Sequence, residues 1–260
     1  MSSFIGATFY DEATIDSDNS SGNWAVTVPA GTTEGDLLVV GCLSTYCIGN
    51  TGDRYRLLPA VGAWPAVFVS FSPGVGGSGG THTFLKVGWD MYQAAVHGAG
   101  FDIAYARGGS STVVYDPVLV VASFRGVTAI VTALLGESDH AGASVFNFVA
   151  DSVSNIANLI GVRPTRLVSL WGGGHAADAS QVPSLAKPAE LTQHAYHTRL
   201  GATGRSGLYL LSEVWASALD YPIDRDGDWT DAGVTVEAVS SRLIPSTSDS
   251  VSGSDHWAWM

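Results

Sequence analysis

Basic residues are scarce in this sequence. Lys and Arg together number 12 against 24 Asp and Glu, a formal net charge of −12, and Lys86 and Lys187 are the only lysines. Phosphate binding needs a basic stripe, so nucleic acid is not expected as a partner. The acidity is read as serving solubility. Cysteine is nearly absent, with Cys42 and Cys47 alone. They lie in or beside one expected strand and differ in pleat parity, so they point to opposite faces. Two buried thiols are expected rather than a disulfide, which fits a reducing cytoplasm. No apolar run approaches the ~20 residues a membrane helix requires, and no membrane insertion is expected. The opening MSSFIGATFYDEATIDS lacks a basic region followed by an apolar core, so it is not read as a secretory signal. Charged residues make up only 14% against 46% hydrophobic, and mean hydropathy is +0.20. Either the interior is unusually large or other subunits cover part of the outside; the second is expected.

What the sequence does contain is strand and turn chemistry. In WAVTVPAGTTEGDLLVVGC, Trp24 to Cys42, Trp24, Val26 and Val28 alternate with Ala25 and Thr27, the period of a half-buried strand. Pro29 ends the ladder, and Gly31 and Gly35 supply a reversal. Leu37 to Cys42 is apolar at every position, as in a sheet covered on both faces. The pair is expected to form a hairpin. Further strands are expected at Ser3–Tyr10, Ala63–Phe71, His82–Tyr92, Phe101–Ala106, Thr112–Arg125, Arg166–Gly174, Leu208–Leu219 and Val234–Leu243, with Pro117 a break or edge and Pro245 a stop. Glycine-rich turns between them point to an all-β sandwich or barrel. Residues 1–245 are read as the sandwich, with two subdomains meeting near 135–150 as a variant. Residues 246–260 are a Ser/Asp-rich tail ending in Trp257 and Trp259, an aromatic segment suited to docking on a neighbouring subunit. In 144–160, Val145, Val149, Val153, Ile156 and Ile160 recur near helical spacing, which leaves helix and strand both open.

Four segments in order carry a resemblance to a family: VPAG followed by GDLLVV, then VLVVASFRGV (Val118–Val127), LVSLWGGG (Leu167–Gly174) and LGATG (Leu200–Gly204). The chain resembles the β-sandwich minor tail proteins of tailed phages, especially those of actinobacterial hosts. The likeness spans most of residues 20–245. It implies a β-sandwich of jelly-roll or related type, strand and loop over 144–160, and a structural role in the virion, at the tail tip or an attached fibre. It also implies manufacture in the host cytoplasm, other tail proteins as partners and a homo-oligomer, with a trimer expected. A host cell-surface glycan is a further candidate partner.

The sequence also contains residues with nominal chemistry. Gly76-Gly77-Ser78-Gly79-Gly80 matches the Gly-x-Ser-x-Gly pattern, with His82, His97 and His175 as nominal bases. A nucleophile elbow needs a strand before it and a helix after it, and a glycine run supplies neither. Asp224, Asp226 and Asp228 alternate like the first ligands of a calcium loop, but Gly227 is misplaced and the closing glutamate is missing. A looser calcium site on a loop and a solvated acidic turn both remain open. His194 and His197 with His175 suggest zinc only if helical, and the local pattern is strand-like. Trp64, Trp89, Trp171 and Trp215 suit either core packing or a sugar platform. Glu34 with Asp36, and Glu213 with Asp220, are carboxylate pairs by proximity alone. No catalytic, cofactor or metal site is therefore expected. Beside the virion reading stand two others: a carbohydrate-binding adhesin module and a sandwich-fold hydrolase of cell-wall polysaccharide.

Overall fold

The computed structural model describes residues 2–11, 21–47, 56–59, 66–71, 81–106, 114–139, 145–149, 165–176, 185–187, 189, 191–200, 204–215, 224–229 and 235–245. The first half of the chain gives β1 (Ser3–Asp11), β2 (Ser21–Thr27), β3 (Leu37–Cys47), β4 (Arg56–Pro59), β5 (Ala66–Phe71), β6 (Thr81–Met91), a single helical turn α1 (Ala94–His97), β7 (Gly100–Ala106) and β8 (Val114–Arg125). The second half gives β9 (Val127–Asp139), β10 (Val145–Val149), β11 (Thr165–Ala176), β12 (Leu185–Ala186), β13 (Thr192–Leu200), β14 (Gly204–Trp215), β15 (Asp224–Trp229) and β16 (Thr235–Pro245). The protein is all-β, and its strands pair antiparallel.

The two halves repeat one topology. A five-stranded sheet runs β1-β8-β3-β6-β5 beside a three-stranded sheet β2-β7-β4; the second half gives β9-β16-β11-β14-β13 and β10-β15-β12. Adding eight to each strand number converts the first pair of sheets into the second. Within each half the chain passes back and forth between its large and small sheet, apart from one successive pair within the large sheet (β5–β6, β13–β14), and its first strand pairs with its last. That wrap is the double-sheet arrangement of a jelly roll, here present twice. The division falls at Gly126, where φ is +73° and β8 passes straight into β9. It does not lie within 135–150, because β9 already belongs to the second half and pairs with β16 as far as Asp139.

The two large sheets stack face to face: β13 lies over β1, β14 over β8, β11 over β3, β16 over β6 and β9 over β5. A pseudo-two-fold axis along β3 and β11 exchanges them, so the halves meet as the subunits of an isologous dimer do. Leu37, Val39, Leu43, Leu85, Val120 and Phe124 of the first half share one core with Val168, Leu170, Leu208, Leu210 and Leu243 of the second. At the centre the fit is reciprocal. A Cβ on Gly41 would sit 2.7 Å from Leu170 Cδ1, and one on Gly172 would overlap Leu43. Each leucine fills the space that the opposite glycine leaves.

β3 is covered on both faces, as its sequence requires. Leu37, Val39 and Leu43 face the second half, while Leu38, Val40 and Cys42 pack against Trp24, Val26 and Ile103 of the small sheet. The expected hairpin of β2 and β3 is not formed. β2 pairs with β7, whereas β3 pairs with β6 and β8. The VPAGTTEGD segment is too long for a tight turn and carries the chain from one layer to the next. Trp24 and Val26 therefore stack on β3 instead of pairing beside it. Over 144–160, residues 145–149 form a strand paired with β15; the rest lies outside the described residues. Among the described residues, the exposed large hydrophobics are Val96 and Tyr196. The outer face of the second large sheet also buries Trp171, Tyr209 and Leu211.

Enlarging a buried small residue forces displacement costing about 1–3 kcal/mol. Gly172→Leu should lower the unfolding free energy by about that much, and adding Leu43→Ala should recover part of the loss. A urea-denaturation double-mutant cycle should give a positive coupling between the two sites.

Candidate functional site

Most residues with nominal chemistry are either separated from one another or engaged in holding the fold. Ser78, Trp64, Asp220 and the 256–260 segment lie outside the described residues. Asp224, Asp226 and Asp228 sit at alternate positions of β15, opposite Val149, Asn147 and Val145 of β10. They belong to a paired, extended strand rather than to the loop or turn expected. Among the described residues no group of three or more His, Cys, Asp or Glu gathers to hold an ion. His82 falls in β6 and His175 in β11, strands of different sheets. Glu213 lies in β14 opposite Leu167. Trp89 packs against the central core while Trp171 is buried on the outer face of the other large sheet, so they form no common platform.

The loop between β2 and β3 is closed by a clamp. Asp36 is buried, and both its oxygens accept from Arg125, Nε to Oδ1 at 3.1 Å and Nη2 to Oδ2 at 2.9 Å. The Thr33 backbone N–H donates to the same carboxylate at 2.8 Å, and Arg125 Nη2 also donates to the Gly31 carbonyl at 2.8 Å. Burial alone would raise the Asp36 pKa; the hydrogen bonds from Arg125 and Thr33 outweigh it and hold the carboxyl below its ordinary range. Gly31 and Gly35 have φ of +88° and +81°, the left-handed region that favours glycine. Glu34 points elsewhere and accepts the Ala94 backbone N–H at 2.7 Å, at the start of α1. Glu34 and Asp36 therefore do not act as a carboxylate pair. Next to them His97 is buried, takes the Gln93 N–H on Nδ1 at 3.1 Å, and turns Nε2 to Asp90 at 3.5 Å, between Tyr92 and Phe101. It pins a turn.

The second polar constellation lies where β1 crosses β13, on the seam between the halves. Arg166, in β11, donates from Nη2 to the Ser2 carbonyl at 3.0 Å and from Nη1 to Ser212 Oγ at 2.8 Å. With that oxygen receiving a guanidinium proton, the Ser212 hydroxyl is left to donate to His194 Nε2, 2.5 Å away. His194 is the extra residue of a β-bulge between Gln193 and Ala195, which turns it inward onto Phe4, the rings 4.3 Å apart and stacked. Burial, and then the charge of Arg166, lowers its pKa to about 4, so at neutral pH the ring is the uncharged acceptor this network needs. At the other end of β1, Asp11 accepts from His197 Nε2 at 3.0 Å and from Arg199 Nη1 at 3.1 Å. Each of these two histidines has a protein partner on Nε2.

Serine beside a neutral histidine is the start of a nucleophilic site. Here Ser212 is fully buried in the middle of the β14 ladder with Arg166 on its oxygen, so no substrate reaches it. The arrangement ties the first strand to the second half at both ends. Sequence spacing gave no sign of it: Ser2, Arg166, Ser212 and His194 come from separate elements, and the bulge that aims His194 leaves no motif.

Two titrations follow. A histidine with a depressed folded pKa leaves stability full above its unfolded pKa of about 6.5 and lost as pH falls from there towards 4. Urea unfolding from pH 7 to 4 should show that decline, at most about 1.4 kcal/mol per pH unit and less for the half-exposed ring. His194→Gln, which keeps an acceptor for Ser212, should flatten it. For the clamp, a depressed carboxyl pKa means stability present above about 3.8 and lost as pH falls through the folded value. Arg125→Met should therefore lower the urea midpoint most at neutral pH, and its gap from wild type should narrow in acid. Compared with family models, curated proteins and solved structures, the chain matches none.

Proposed function

We propose that the protein is a structural component of a phage virion, a minor tail protein at the tail tip or on an attached fibre, made in the host cytoplasm and working by assembly with other tail proteins. The observation that carries this reading is where the resemblance residues fall. The VPAG–GD loop and the Arg-Gly-Val turn, about 90 positions apart in sequence, are the two sides of the Asp36–Arg125 clamp. LVSLWGGG is the strand that packs on β3 along the pseudo-two-fold axis, and the ends of LGATG, Leu200 and Gly204, close β13 and open β14, two strands that pair with each other. The four segments that prompted the likeness are thus structural positions of a duplicated sandwich, with polar groups spent on rigidity. A rigid body of this kind transmits load and holds neighbours in register.

A glycan-binding role has one observation in its favour. Tyr196 is 55% exposed and stacks at 5.4 Å on the buried Tyr209, which lies opposite Trp171 across the sheet. An exposed ring held flat by a second ring is a surface that a sugar can stack on. The second reading is that this ring contacts a host glycan.

Antibody against the chain should label the tail tip of intact particles by immunogold microscopy. Label found only on free protein in the lysate, with none on particles, would count against the virion role. If the ring binds glycan, wild type should bind on a glycan array and Tyr196→Ala should lose that binding while melting at the same temperature.

A further inference from the structure

An open sheet edge presents backbone N–H and C=O groups with no strand to bond them, and proteins blunt such edges with charge, bulges or cover. The stacked large sheets have two margins of this kind, and they differ. At one, β1 and β13 carry Asp11, His194, His197 and Arg199, and both strands are interrupted by register shifts, between Phe4 and Gly6 and between Gln193 and Ala195. At the other lie β5 and β9, one above the other. Neither Ala66–Phe71 nor 127–135 contains a charged residue. β9 shifts register twice against β16, whereas β5 pairs with β6 without a break from Ala66 opposite Trp89 to Phe71 opposite Phe84. β5, AVFVSF, is thus an uninterrupted, uncharged strand rich in β-branched and aromatic residues. Its second side meets no strand among the described residues. That is the composition of segments that pair with their own copies.

We infer that β5 is a self-association edge at which a second copy of this chain docks by antiparallel β5–β5 pairing, continuing one large sheet into the other copy. The occupant follows from the strand itself. A two-fold that carries one sheet into the other copy pairs residues of the same face: about a centre at Phe68, self-pairing sets Phe68 opposite its own copy, Val67 opposite Val69 and Ala66 opposite Ser70. Apolar residues meet residues of similar character, and no like charges meet. Elsewhere the net charge of −12 opposes close approach between copies. The contact is isologous and closes at two copies, in place of the trimer that the family resemblance implies. It holds whether or not the protein belongs to a virion.

The full-length chain should sediment as two copies. Val69→Glu adds a charge to the edge, at the register position opposite Lys86 of β6. This variant should weaken association roughly tenfold or more, with an unchanged far-ultraviolet circular dichroism spectrum. Thr198→Glu, on the opposite margin, should associate as wild type does. Should Val69→Glu fail to fold, hydrogen exchange on the wild type decides instead: the amides of residues 67–70 should exchange more slowly in concentrated than in dilute protein. A wild-type chain that stays single, closes at three or more, or shows concentration-independent exchange in β5 would overturn the inference. So would a folded Val69→Glu variant that associates as wild type does.

Discussion

Two leucines seated over two glycines hold this molecule together. Leu170 lies over Gly41 and Leu43 over Gly172, and the close approach of β3 to β11 depends on that exchange of bulk for absence. Filling the space between two sheets at interior density leaves no room for a side chain on both strands at one level. The glycines let the leucines enter, and the leucines remove the void the glycines would leave. From that contact outward the remaining strands stack in matched pairs, so one local complementarity sets the relation of the halves.

The polar groups fall into place around this apolar centre. Asp36 and Arg125 fix the loop that takes the chain from the small sheet into β3, and Arg166, Ser212 and His194 fix the margin where the first strand overlies the second half. Both clusters contain residue types that elsewhere perform catalysis. Here each is satisfied by its neighbours, with Asp36 and Ser212 buried. A buried polar group is costly unless bonded, so such networks give one arrangement preference over its near alternatives.

Much of the fold was legible in the sequence because alternation and full burial leave different patterns. Leu37 to Cys42 has no polar position, and the structure covers both its faces. The pairing of β2 was not legible, since a strand followed by glycines and a second strand reads as a hairpin unless the loop is seen to change layers. β9 leaves no separate signal in the sequence because Gly126 alone separates it from β8 and its first nine residues lack alternation. The duplication was hidden as well. The halves share strand order, yet β3 reads LLVVGCLSTYC where β11 reads TRLVSLWGGGHA, and topology outlasts such differences where sequence periodicity does not. Of the polar clusters, the sequence shows Glu34 and Asp36 only as neighbours. Arg125, which gives Asp36 its role, lies 89 residues away.

Joining the halves through one glycine turn has a consequence for how such a body can change. Two separate subunits related by symmetry must carry every substitution twice, once on each side of the axis. Tethered halves meet at high effective concentration, so each can drift alone without losing its companion. That freedom lets one flank keep acids, histidines and an arginine in its outer strands while β5, on the other, carries no charged residue. A molecule built on a near-symmetric plan has thereby acquired a front and a back.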